Sequence, residues 1–296
     1  MRRWLLQVCV LQCSIAGCGG NHATCTQDDQ CASHFCRADG TCGPAADVDA
    51  ATDDTMADAP SGVCAPNHDG MIARAELPLA AGAKATFRVA ANPSFDTAGK
   101  ANTDGSRTWD MTGHLAGDAD RPVELLSPAG AWWQPSFPDA TYAVQLAASS
   151  DLLGVFQVTD AQVALLGVVS PEAGTFRTEL AYDPPAQILA LPFAAGATWS
   201  STSSITGPAQ GTPTAYSERY ASRVDQVGTL KAPYGEFPVV RIATDLTRTA
   251  GAAVLLTKRT FAWAAECFGS VAQVQSQDFE TTAEFNDPAE VRRLAP

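Results

Sequence analysis

From about residue 79 to the end, apolar and polar residues alternate in short runs, and no twelve-residue stretch carries a helical stripe. This period of two restricts the fold more than any other feature. Successive side chains of a strand point to opposite faces, whereas a helix surface repeats every 3.6 residues. Alternation is plain at 86–89, 108–112 and 142–146, and runs follow at 152–158, 161–169, 174–182 and 186–193. Longer ones occupy 214–230, 237–249 and 252–265. Within 237–249, Val239, Arg241, Ala243, Asp245 and Thr247 fall on one face, and Val240, Ile242, Thr244 and Leu246 on the other. Gly and Pro punctuate the runs, as at Pro128-Ala129-Gly130, Gly207-Pro208 and Pro233-Tyr234-Gly235. The pattern predicts an all-β domain over 63–296, a large antiparallel sheet arranged as a sandwich or a curled half-barrel. A single short helix is expected at 288–294, with Asp287 as N-cap and Pro288 at the first helical position.

The N-terminus reads differently. Arg2 and Arg3 precede a mostly apolar, uncharged run at 4–14, too short to span a bilayer. Ile15-Ala16-Gly17-Cys18 follows. This stretch resembles the signal peptide and lipobox of bacterial exported lipoproteins. The resemblance implies removal of residues 1–17 and a lipid on Cys18, which anchors the chain in a membrane. Gly19 rather than Asp after the cysteine implies the outer membrane.

That reading removes Cys9 and Cys13 and lipidates Cys18, leaving an even six of the nine cysteines, as suits an oxidised, exported chain. Cys25, Cys31, Cys36 and Cys42 lie within eighteen residues that contain almost nothing apolar except Phe35. They must cross-link one another or hold a metal, and without a C-x2-C pair disulfides are the better reading. Their connectivity stays open. The stretch resembles short disulfide-rich modules on surface proteins of predatory and gliding soil bacteria, and it defines a module over 18–43. Residues 44–62 carry five Asp and no basic residue, which predicts a disordered, self-repelling linker. Cys64 and Cys267 are the remaining pair, one opening the β domain and one near its end.

Composition excludes some partners. The chain has 19 basic and 32 acidic residues and a net charge of −13. A nucleic-acid binder needs clustered Lys and Arg, so nucleic acid is not expected. Eight of the acids sit at 18–62 beside Arg37 alone, so much of the acidity belongs to a tether.

Candidate chemistry is sparse. Asn67, Asp69, Met71 and Glu76 sit in CAPNHDGMIARAEL (64–77) at spacings that echo an EF-hand loop, with Gly70 at the sharp turn. Ala65 stands where the first carboxylate belongs and Pro66 follows it, so a plain Asn/Asp/Gly turn is favoured and a weak Ca²⁺ site is the alternative. No other cofactor is expected. Trp132 and Trp133 form the one aromatic cluster in a loop-like context. They read as core or corner residues, with stacking on a ligand as the alternative. No G-x-S-x-G, H-E-x-x-H or Gly-rich phosphate loop occurs, and no catalytic residue is assigned.

Residues 228–249 and 258–278 resemble uncharacterised bacterial exported β domains, through Gly235, Phe237, Arg241, Trp263, Gly269 and Val271. That resemblance implies a β fold and no activity. The expectation is a non-enzymatic envelope lipoprotein that displays a β domain for binding or structural roles, its protein or glycan partner unknown. The alternatives are a carrier that holds a hydrophobic ligand in a curled sheet, as lipoprotein-carrier-like half-barrels do, and, behind it, a hydrolase.

Overall fold

The computed structural model describes residues 64–296. The signal peptide expected at 1–17, the lipid site expected at Cys18, the module expected from Cys25, Cys31, Cys36 and Cys42, and the linker expected at 44–62 lie outside the described residues.

The strands are β1 (Met71–Ile72), β2 (Lys84–Ala91), β3 (Lys100–Ala101), β4 (Arg107–Asp110), β5 (Ala119–Glu124), β6 (Tyr142–Ala147), β7 (Ser150–Val158) and β8 (Gln162–Val169). They continue with β9 (Glu179–Ala190), β10 (Phe193–Ala194), β11 (Thr198–Ala209), β12 (Thr212–Ala232), β13 (Gly235–Ala250), β14 (Ala253–Ala265), β15 (Gly269–Gln275) and β16 (Glu290–Ala295). Among the described residues the only helical pieces are 3-10 turns at Arg74–Glu76 and Gln134–Ser136. None is long and apolar enough to cross a membrane.

One fourteen-stranded sheet dominates, ordered β5-β2-β16-β15-β14-β13-β12-β11-β9-β8-β7-β6 with β3 and β4 off that path. The path is antiparallel throughout and curls until its edges meet. Just past β5, Leu126 and Ala143 of β6 exchange backbone hydrogen bonds of 2.7 and 3.0 Å. Near the other end of β6, the Ala148 amide donates to Glu290 Oε2 at 2.9 Å, and Arg292 Nη2 to the Leu146 carbonyl at 3.1 Å. The half-barrel expected from the alternation is therefore a nearly closed barrel.

The faces of β13 show why alternation leads to this shape. Val240, Ile242, Thr244, Leu246 and Arg248 face the interior. Val239, Arg241 and Ala243 face outward, yet are buried. They are covered by the 92–118 segment, whose Trp109 and Met111 pack with Phe237, Phe261 and Trp263. β4 within that segment runs parallel to β12 at 228–231, where β11 no longer pairs. Five of the six residues behind the exported-domain resemblance lie on or beside this packing: Phe237, Trp263 and Val271 are core, Arg241 is 1% exposed, and Gly269 takes a positive φ at the β14–β15 turn.

Arg241 pins the outer layer. It forks onto Asp225 at 3.0 and 2.9 Å and onto Glu284 at 3.0 and 2.7 Å, and donates to the Thr97 carbonyl at 2.8 Å. Its guanidinium also lies 4.2 Å over the Phe261 ring. Burial would lower its pKa, but the two carboxylates hold it above the usual value.

One expectation fails. The helix predicted at 288–294 is strand β16, paired with β15 and β2. The Asp287-Pro288 signal is local, whereas a strand here completes hydrogen bonds on both sides, and Val291 and Leu294 become core.

Candidate functional site

The barrel encloses a cavity of about 950 Å³. At its base, residues 64–79 form a stopper. Cys64 is bonded to Cys267 at the β14–β15 turn, with Cα atoms 5.5 Å apart. The Cys267 amide donates to the Glu76 carbonyl at 2.8 Å, and the His68 amide to Glu266 Oε2 at 2.9 Å. β1 pairs with β10, and Ile72 and Leu77 are buried in the same apolar cluster as the cavity wall. Leu77 and Leu79 form the cavity floor. At the opposite end Leu255, 48% exposed and beside the β13–β14 hairpin, still lines the cavity, so the cavity opens there.

The two halves of the wall differ. β6 to β9 contribute Tyr142, Phe156, Leu165, Val168 and Leu180, with Phe193 deeper in. β12 to β15 contribute polar rows. Thr244, Thr260 and Gln275 stand directly opposite one another across three strands and line the cavity. One row nearer the mouth, Leu246 stands opposite Lys258, whose Nζ is 2.9 Å from Asp278.

A further row toward the mouth carries a buried charge. Glu218 on β12 is directly opposite Arg248 on β13, and its side chain is 1% exposed. Its Oε2 accepts the hydroxyls of Tyr182 at 2.9 Å and Tyr220 at 2.7 Å. Its Oε1 accepts Arg248 Nε at 2.8 Å, with Arg248 Nη2 at 2.7 Å. The Arg248 guanidinium lies 4.6 Å over the Tyr216 ring. Burial raises the pKa of Tyr182 and Tyr220, and the adjacent Glu218 charge raises both further. Burial alone would lower the Arg248 pKa, but Glu218 beside it keeps the guanidinium firmly charged. A carboxylate this buried is tolerated because both of its oxygens are engaged, one by two hydroxyls and one by a guanidinium.

No sequence motif singled out Glu218 or Arg248. The signal was the alternation Tyr216-x-Glu218-x-Tyr220, which places two rings and an acid on one face of a strand. Arg248 joins only through the β12–β13 register.

The residues read from sequence lie elsewhere. Asn67 Nδ2 donates to Asp69 Oδ2 at 3.2 Å, and Asp69 Oδ1 accepts the Met71 amide at 2.8 Å. Glu76 is buried, and its Oε2 accepts the Ala73 amide at 2.8 Å. These side chains brace the turn that enters the stopper. Among the described residues no three His, Cys, Asp or Glu side chains gather as metal ligands. Trp133 is buried with Phe137, Val155 and Val169 on the outside of β6 to β8. Trp132 Nε1 donates to the Ser170 carbonyl at 3.1 Å, and Arg177 covers its ring at 5.4 Å. Neither tryptophan lines the cavity.

No family model and no curated protein sequence matches the chain. Among solved structures it is similar to a Bacteroides fragilis protein, inferred to be exported and described as having a YmcC-like fold. The two are 11% identical, the match covers 78% of this chain and 97% of that one, and the TM-score is 0.32. A score that low carries no argument about this chain.

Proposed function

We propose that the β domain is a binding protein that holds the apolar part of a ligand inside its barrel, on a chain exported and tethered to the bacterial outer membrane through lipid on Cys18. Of the readings open from sequence, the carrier gains most, because it alone requires an apolar concavity open on one side. The cavity supports it: about 950 Å³, with a leucine floor, one largely apolar wall and an open mouth. Small-molecule sites typically span roughly 300–1,000 Å³. The reading is non-enzymatic. The cavity's carboxylate, Glu218, is saturated by two phenols and a guanidinium, which leaves it poorly placed to act as a base. The mostly apolar start of the chain, the lipobox-like Ile15-Ala16-Gly17-Cys18 and the even set of six remaining cysteines support export and anchoring.

The test uses purified full-chain protein, stripped of co-purifying lipid and titrated with the neutral apolar fluorophore N-phenyl-1-naphthylamine. Saturable fluorescence enhancement is expected. Ala262 lines the cavity beside Ile242, so Ala262→Trp should narrow the apolar space and reduce the enhancement with an unchanged circular dichroism spectrum. No enhancement in the wild type, or undiminished enhancement in a folded Ala262→Trp protein, sinks the proposal.

A further inference from the structure

We propose that the ligand is an amphiphile with an anionic head, carboxylate or phosphate, which docks on Arg248 at the cavity mouth while its tail runs down to the leucine floor. This rests on the cavity being a binding site, and it adds the ligand's charge, its orientation and the residue that reads it.

Three observations carry it. First, Arg248 is presented rather than consumed. Glu218 engages Nε and Nη2, and among the described residues Nη1 makes no hydrogen bond. The side chain lines the cavity and is 34% exposed. Its position is held from below by the Tyr216 ring and from the side by Glu218. A guanidinium fixed in this way matches the planar geometry of a carboxylate or phosphate.

Second, the neighbouring charge does not oppose an incoming anion as strongly as a free carboxylate would. Glu218 is neutralised by Arg248 and accepts two phenol hydroxyls. The next cation, Lys258, lines the cavity one strand over, and its counter-ion Asp278 is 59% exposed and outside the cavity. Each cation at the mouth has its own counter-ion, so an incoming anion meets a charge-balanced site in which Arg248 Nη1 is the donor without a partner among the described residues.

Third, polarity changes along the cavity axis. Arg248 and Lys258 lie toward the β13–β14 hairpin, which is the open end. The row of Thr244, Thr260 and Gln275 comes next and could hydrogen-bond an ester or hydroxyl. Leu77, Leu79 and Phe193 lie at the stoppered base. A purely apolar ligand would leave Arg248 Nη1 and the side chains of Thr260 and Gln275 without a partner, Thr244 already sharing a hydrogen bond with Ser222. A free anion would leave the apolar floor empty. An acidic amphiphile bound tail-first satisfies both.

The experiment displaces N-phenyl-1-naphthylamine from the full chain with sixteen-carbon compounds that differ only in the head: palmitate, hexadecyl phosphate, hexadecanol and hexadecyltrimethylammonium. A charge-assisted contact predicts that palmitate, hexadecyl phosphate or both bind about tenfold more tightly than hexadecanol. The tighter of the two identifies the head. The cationic compound should bind no better than hexadecanol. Acetate and inorganic phosphate alone should displace nothing, and displacement by inorganic phosphate equal to that by its hexadecyl ester would overturn the amphiphile assignment. Removing Arg248 alone would strand Glu218, so the variant is Glu218→Gln with Arg248→Met, which leaves no orphan charge. It should bind hexadecanol as before and lose the preference for acids. If it does not fold, the wild-type series still decides. Equal binding of acids and hexadecanol overturns the inference and leaves the cavity reading standing. Failure of every sixteen-carbon compound, with no fluorophore enhancement, defeats the cavity reading itself.

Discussion

At the residue scale, the cavity wall brings phenol hydroxyls, a carboxylate and a guanidinium together. Four of the five tyrosines, Tyr142, Tyr182, Tyr216 and Tyr220, line the cavity, and burial raises the pKa of each. A folded-state pKa above the unfolded value of about 10 means that the stabilisation is fully present below about pH 10. It is lost as pH rises beyond that point, by roughly 1.4 kcal/mol per pH unit for each tyrosine. The domain should therefore open cooperatively in alkali. In a Tyr234→Phe background, which removes the exposed phenol hydroxyl, tyrosinate absorbance should appear together with loss of the β circular dichroism signal. Tyrosinate appearing well before unfolding would show that these rings are accessible to hydroxide in the native barrel. None of the four was legible as a site residue, because a tyrosine on an alternating strand looks the same whether its hydroxyl meets water or Glu218. Only the three-strand register of β9, β11 and β12, which sets Tyr182 and Tyr216 opposite Ile205, brings those two and Tyr220 to one place.

At the element scale, legibility followed the contrast between faces. β8, β13 and β14 are rich in Val, Ile, Leu and Phe and could be read directly. β11 could not, because Thr198–Ala209 is a Ser/Thr-rich run with Trp199 and Ile205 as its only large apolar residues. It is a strand because β9 and β12 pair with it on both sides. β16 was hidden by a helix-start signal. The closure of the sheet left no trace in local sequence, since it depends on Leu126 meeting Ala143. One close approach makes the docking of an element testable. β4 lies against β12 so tightly that a Cβ on Gly228 would sit 1.8 Å from the Arg107 carbonyl oxygen. Backbone cannot yield as a side chain can, so Gly228→Ala should push β4 away from β12. The expected cost is roughly 3 kcal/mol, at the upper end for overpacking. Urea unfolding measures the loss, and hydrogen exchange should show faster exchange across Arg107–Asp110. Wild-type stability in the variant would mean that β4 contributes nothing to the outer layer.

At the scale of the whole domain, one bond joins the start of the described chain to a turn near its end. Cys64 and Cys267 are 203 residues apart in sequence, so the bond constrains almost the entire unfolded domain. Chain-entropy reasoning gives roughly 5 kcal/mol for a loop of that length, and measured values usually fall below it. The stopper has other holds: the Cys267 amide on the Glu76 carbonyl, the β1–β10 pairing, and the burial of Ile72 and Leu77. These persist without the sulfur bridge. Replacing both cysteines (Cys64→Ser with Cys267→Ser) should therefore yield a folded barrel that melts roughly 10 °C lower, at 2–4 °C per kcal/mol for a domain this size. Thermal melts of the wild type with and without reductant should show a shift of the same size, while the double variant should not respond to reductant. Because the bridge closes the cavity floor, fluorophore affinity reports separately on the stopper. An unchanged affinity with a lowered melting point places the bond's role in the unfolded chain. A melting point that does not move would mean that the hydrogen bonds and buried leucines of the stopper hold the base of the barrel without it.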